Sequence, residues 1–137
     1  MSVFMPIATH VLRDSLAVTA SVARAWFEDR AKIKTRLQFE ARGGLGDEGV
    51  GSVYVYFLEA GHAVYVGQTG RTIKARLHDV TSPHKKKVWW GEWSYMRFVS
   101  LADDVDRLML EALLIAAYEP IENIKPKAKD INSLFSD

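Results

Sequence analysis

Between residues 8 and 41 the apolar positions recur at helical spacing: Val11, Leu12, Leu16, Val22 and Ala25, then Ile33 and Leu37. That period predicts one long helix or two shorter ones. Residues 43–51 then hold five glycines in nine positions, a composition that breaks any regular element and marks the clearest boundary in the chain. Beyond it the pattern changes. Residues 52–59 and 63–67 are rich in β-branched and aromatic side chains and predict two strands, joined as a hairpin through Ala60-Gly61-His62. A helix is predicted over 72–79, entered through a turn at Thr69-Gly70, and Pro83 with Lys85, Lys86 and Lys87 marks a basic loop. Residues 93–100 predict a third strand. Asp103 or Asp104 then caps a strongly apolar helix that reaches Tyr118 and is stopped by Pro120. The order β-β-α-β-α predicts a small α/β domain, a three-stranded antiparallel sheet flanked by helices, behind an N-terminal helical arm. The division falls between 1–48, the arm with its glycine-rich linker, and 49–137.

Composition narrows this little. A chain of 137 residues with 48% hydrophobic and 26% charged residues is built like an ordinary globular protein and is too apolar to be disordered throughout. The absence of cysteine excludes disulfides and thiolate zinc sites. Arg13 and Asp14 interrupt the apolar start, which argues against a signal peptide or a membrane span and for a cytoplasmic protein. The net charge of +1 hides an uneven distribution. Residues 68–97 carry seven basic side chains against two acidic ones, and residues from Phe98 onward carry four against eight. Such a segment suits a polyanion, and equally a solvated surface unless a chemical site lies nearby.

Candidate chemistry begins with Glu111, in the middle of the apolar helix and flanked by Leu108, Leu114 and Ile115. The helix is apolar on almost every side, so burial is expected, and a buried carboxylate needs a cation or a proton. Arg107, one turn earlier, would supply an ion pair worth ~0.3–0.5 kcal/mol if exposed; a divalent metal is the alternative, since hard cations prefer carboxylate oxygen. Tyr54 and Tyr65 fall on the two adjacent strands, where tyrosine is common for packing alone. Gly67 permits close backbone approach. Arg71 and Arg76 offer planar forks suited to phosphate. Trp89, Trp90 and Trp93 suit packing under the third strand, or stacking on bases.

Ser52-Val53-Tyr54, followed eleven residues later by Tyr65-Val66-Gly67, resembles the paired motifs that name the GIY-YIG nucleases. The stretch from Gln68 to Leu77 is similar to that family's helix with its arginine, here Arg76; some branches carry an extra arginine matching Arg71. Glu111-Ala112-Leu113-Leu114-Ile115, leading through Pro120 to Asn123, resembles the family's metal-binding glutamate and downstream asparagine. The likeness spans roughly residues 51–126. There are two departures: serine stands where many members have the first glycine, and Val80 stands where many have a histidine or tyrosine. His78, on the opposite side of the expected helix, is a poor replacement, whereas a fold of the basic loop could bring His84 back toward the site.

The resemblance implies a metal-dependent endonuclease hydrolysing phosphodiester bonds in nucleic acid, DNA rather than RNA, with a silent nucleic-acid-binding module as the alternative. Glu111 would hold Mg²⁺ or Mn²⁺. Tyr54 would be the general base, Arg76 would stabilise phosphate charge, Tyr65 would hydrogen-bond the phosphate or the nucleophile, and Asn123 would orient the metal shell or Tyr54. Arg71, Lys74, Lys85, Lys86 and Lys87 would hold flanking phosphates without reading sequence. No membrane partner is expected. The arm must pack its apolar face on the core or on a second copy, giving a homo-oligomer in the latter case.

Overall fold

The computed structural model describes residues 9–41, 50–72 and 87–123. In chain order these form α1 (Thr9–Arg30), β1 (Lys32–Thr35), α2 (Arg36–Glu40), β2 (Val50–Phe57), β3 (Ala63–Thr72), a 3-10 turn (Val88–Gly91), β4 (Tyr95–Ser100) and α3 (Asp104–Tyr118). Apart from Thr72, the helix expected over 72–79 lies outside the described residues, as does most of the basic loop.

Local rules account for the ends of these elements. Asp103 caps α3 by accepting the amide of Asp106, and the helix stops at Glu119, whose φ of 47° is left-handed, directly before Pro120. Thr35 caps α2 in a reciprocal box with Gln38. The hairpin between β2 and β3 closes where expected. Gly61 adopts φ 94° there, and Leu58 and His62 are joined by a backbone hydrogen bond of 2.9 Å.

Among the described residues the sheet has four strands, all antiparallel, in the order β1-β4-β2-β3. The fourth strand comes from the arm. Residues 32–35 were expected to continue a helix, but Lys32 pairs with Phe98 and Thr35 with Tyr95. Ile33 and Thr35 suit a strand, and the unsatisfied edge of β4 overrides the weak helical period. Residues on both sides of the glycine-rich stretch therefore share one sheet. β3 also outruns its expected end at Gly67, because pairing with β2 continues through Ser52–Thr69 to Val50–Thr72.

The two faces of the sheet carry different cores. Val53, Val55 and Phe57 of β2 point toward α1 and α3 and pack with Phe27, Val66, Leu110, Leu114 and Tyr118. The alternate positions, Tyr54 and Tyr56, point the other way into an aromatic cluster with Phe39, Trp89, Trp93, Met96 and Phe98. Phe39 of α2 meets Trp93 edge-on at 5.2 Å. Arg36 lies over the same indole at 4.6 Å and donates to the carbonyl oxygens of Trp90 and Trp93. Packing is thus the role of Trp89 and Trp93, both buried.

α3 departs from the expectation of burial on every side. Val105, Leu108 and Met109 are more than half exposed, and Leu110, Leu114 and Tyr118 form the buried stripe. Only the face turned toward the sheet and α1 is covered. No described helix is long and apolar enough to cross a membrane.

Candidate active site

Register brings the two tyrosine motifs together. Tyr54 on β2 pairs with Gly67 on β3, and Tyr56 pairs with Tyr65, so Tyr54, Tyr56 and Tyr65 share the aromatic face. The Tyr54 phenol lies across Gly67. A β-carbon at Gly67 would stand 2.6 Å from the Tyr54 hydroxyl and 2.7 and 2.8 Å from two ring carbons, closer than atoms can approach. Glycine at 67 is therefore demanded by the ring above it. Tyr54 is left 1% exposed. Tyr65 is half-buried, and its ring stacks on Trp89 at 5.3 Å with the planes 15° apart.

Asn123 closes the outer edge of β3. Its Oδ1 accepts the Val66 amide at 2.7 Å and its Nδ2 donates to the Val66 carbonyl at 2.9 Å. Ile121 and Glu122 donate to the carbonyls of Ala63 and Val64, so the chain leaving α3 runs along β3 as a short substitute strand. The amide keeps one N–H and one lone pair for a further partner. Sequence reasoning aimed Asn123 at a metal or at Tyr54; its partner is the backbone beside Tyr65.

Glu111 is half-buried on α3, the helix covering the opposite face from the tyrosines. Burial pushes its carboxyl above the ordinary carboxylate range, and desolvation is the sole cause. Among the described residues it has no hydrogen bond or ion pair, and no group of three or more His, Cys, Asp or Glu side chains is gathered there or elsewhere. Arg107 is not its partner. That arginine is 4% exposed and its guanidinium is taken up elsewhere: Nε donates to Gln68 Oε1 at 3.1 Å, Nη1 to the carbonyls of Leu101 and Ala102 at 2.8 Å each, and Nη2 pairs with Asp104. Gly51 (φ 92°) and Gly70 leave the room this requires, since β-carbons there would come within 2.4 and 3.2 Å of the guanidinium. Arg107 thus ties the start of α3 to Gln68 of β3 and to the chain leaving β4. Its helical neighbour Glu111 had suggested a surface pair, and only Gly51 and Gly70 hinted at something large and buried between them.

Of the expected phosphate contacts, Arg71 and Lys87 are exposed, Arg71 just past a local turn in which its amide donates to Thr69 Oγ1 at 3.0 Å. Arg76, Lys74, Lys85 and Lys86 lie outside the described residues, as do His78, Val80 and His84. Two further basic side chains escaped the sequence reading because their segment was read as helix. Lys32 and Lys34 on β1 pair with Phe98 and Met96, which pair in turn with Tyr54 and Tyr56, so both lysines belong to the tyrosine face at the opposite edge of the sheet.

No protein-family model, curated protein or solved structure matches this chain.

Proposed function

We propose that this chain is a metal-dependent nuclease of the GIY-YIG type, hydrolysing phosphodiester bonds in DNA. The observation that carries the reading is the interlock of the two motifs. The residues that give the likeness its specificity, Tyr54, Tyr65 and Gly67, meet on adjacent strands, and Tyr54 makes glycine obligatory at 67. A chance recurrence of tyrosine in two strands would not need that glycine.

In this reading the roles follow exposure. A general base must come within hydrogen-bond reach of the proton it takes. Tyr65 is the one of the pair open to solvent, so it meets the phosphate or the attacking water, and the stacked Trp89 fixes its ring. Tyr54, expected as the base, instead lies buried across Gly67 in the middle of β3. Glu111 fits a hard divalent cation: it is a partly desolvated carboxylate with no ion pair among the described residues, and a bound Mg²⁺ or Mn²⁺ would restore its charge. Such an ion, when bound, supplies Lewis acidity toward a phosphoryl oxygen. Asn123 holds the β3 edge beside Tyr65, and Arg71, Arg76 and Lys87 neutralise phosphate charge.

The test is incubation of the purified chain with plasmid, single-stranded DNA and RNA, in Mg²⁺, Mn²⁺ or chelator, with Glu111→Ala and Tyr65→Phe as controls. Metal-dependent cleavage lost in both variants is the expected result. Binding without cleavage under every condition would replace the proposal with a silent nucleic-acid-binding module. Cleavage retained by Glu111→Ala would remove the metal assignment.

A further inference from the structure

The register of the whole sheet aligns the lysines of β1 with the tyrosine site. Lys34 pairs with Met96, Met96 with Tyr56 and Tyr56 with Tyr65, so one row crosses all four strands on a single face. The neighbouring row runs from Lys32 through Phe98 and Tyr54 to Gly67. The middle of both rows is sealed: Met96, Tyr56, Phe98 and Tyr54 are at most 1% exposed, enclosed with Phe39, Trp89 and Trp93. The ends emerge. Lys32 is exposed and Lys34 half-buried at one edge, and Tyr65 is half-buried at the other. Three strand spacings of about 4.8 Å set the lysine edge about 14 Å from Tyr65.

Lysines on an edge strand have a plainer use, since their charge deters a further strand from adding to the open edge. Charge on this face favours a ligand as well. Across residues 32–41 and 87–94 the described charges are Lys32, Lys34, Arg36 and Lys87 against Glu40 and Glu92, and Glu40 is bound to Arg36 at 2.9 Å. Lys34 has no ion pair among the described residues. Arg71, exposed near the far end of β3, continues the cationic border on the tyrosine side of the sheet. Cations thus stand at both edges of one sheet face, with the half-buried Tyr65 beside one of them.

We propose that Lys34 and Lys32 hold the phosphate backbone of the same DNA that Tyr65 meets, so that the segment before the glycine-rich stretch supplies a second contact to the substrate. This rests on the nuclease reading and adds to it the part that β1 plays. At a rise of 3.4 Å per base pair, about 14 Å corresponds to roughly four base pairs, so both contacts fall within one short stretch of duplex. An ammonium on a flexible stem suits a phosphate without reading bases. Such contacts fix where the duplex lies and take no part in the chemistry, so their loss falls on KM and leaves kcat in place. The segment is therefore not separable from substrate binding, although it carries none of the tyrosine motifs.

The test is binding of the full chain to a short fluorescent DNA duplex, read by anisotropy in chelator over a series of salt concentrations. Each lost phosphate contact removes about 0.9 from the slope of log affinity against log salt. Lys34→Gln should therefore flatten the slope by about 0.9 and Lys32→Gln/Lys34→Gln by about 1.8, the pair binding on the order of tenfold more weakly at low salt. Glutamine keeps much of each stem and the backbone pairing of β1, so circular dichroism and melting temperature should match the unaltered chain. Lys32→Arg/Lys34→Arg should restore the slope. Arg13→Gln removes the same charge from the exposed first half of α1 and should leave the slope unchanged. In Mg²⁺ the double glutamine variant should cleave with unaltered kcat and raised KM. An unchanged slope in that variant, an equal loss from Arg13→Gln, or a fall in kcat at unchanged KM overturns the proposal, and the nuclease reading survives wherever cleavage persists. A chain that binds no nucleic acid at any salt concentration overturns both.

Discussion

Replacing Gly67 with alanine tests the interlock of Tyr54 and Gly67 at its centre. Gly67 has no left-handed φ, so alanine suits its backbone and on that ground alone would stabilise by about 0.4–1 kcal/mol through a stiffer unfolded chain. Against this, the new methyl meets three atoms of the Tyr54 ring at 2.6–2.8 Å. The ring cannot step aside, because at 1% exposure it is enclosed by the aromatic cluster, and one methylene forced into such a core costs about 1–3 kcal/mol. Steric cost wins by about 1–2 kcal/mol, which for a chain of this length lowers the melting temperature by roughly 4–8 °C. The decisive measurement is a double-mutant cycle by urea denaturation. Tyr54→Leu costs stability by itself, but it removes the atoms that the methyl strikes, so Gly67→Ala added to Tyr54→Leu should be neutral or slightly stabilising. The coupling energy is then about 1–3 kcal/mol. An equal cost of Gly67→Ala in both backgrounds would refute the reasoning, because the ring would then not be what excludes a side chain.

The remaining expectations concern charge and chemistry. Because the folded protein raises the Glu111 pKa above 4.5, the native state there binds more protons than the unfolded one, and this residue's contribution to stability falls as pH rises from 4.5 through the raised value. Without metal, Glu111→Gln should therefore melt higher than the unaltered chain at pH 7 and no higher at pH 4, while Mg²⁺ should raise the melting temperature of the unaltered chain alone; a Mg²⁺ shift of equal size in Glu111→Gln would place the ion elsewhere. Tyr65→Phe should lose ~10²–10⁴-fold in cleavage rate, the usual share of a general base, and Tyr54→Phe less than tenfold; the reverse order would return the base to Tyr54. Arg107→Met strands the acceptors of Gln68, Leu101 and Ala102 and should cost about 3 kcal/mol or more, whereas Asp104→Asn, at a site 84% exposed, should cost under ~1 kcal/mol by denaturant titration.

The sequence by itself determined whatever depends on neighbours within a few residues. The bounds of α3 are written in Asp103 and Pro120, and the hairpin in Gly61, because a cap or turn is satisfied by adjacent backbone. The adjacency of the tyrosine motifs was legible for the same reason: a short hairpin leaves two strands no other arrangement. Tertiary structure decided what distant segments do to one another. Lys32–Thr35 is a strand only because β4 offers an open edge, and Ile33 looks helical until that edge is present. Leu108 and Met109 read as core but remain exposed, since an apolar residue is buried only where another element arrives to cover it. Arg107 and Tyr54 moved furthest from expectation. Arg107, weighed as a surface partner for Glu111, is buried because Gln68 of β3 and the carbonyls of Leu101 and Ala102 after β4 take up its donors. Tyr54, read as the candidate general base, is enclosed, with its ring lying across Gly67 on the neighbouring strand. Burial is a property of the assembled layers, and no local pattern encodes which side of a strand those layers will close over.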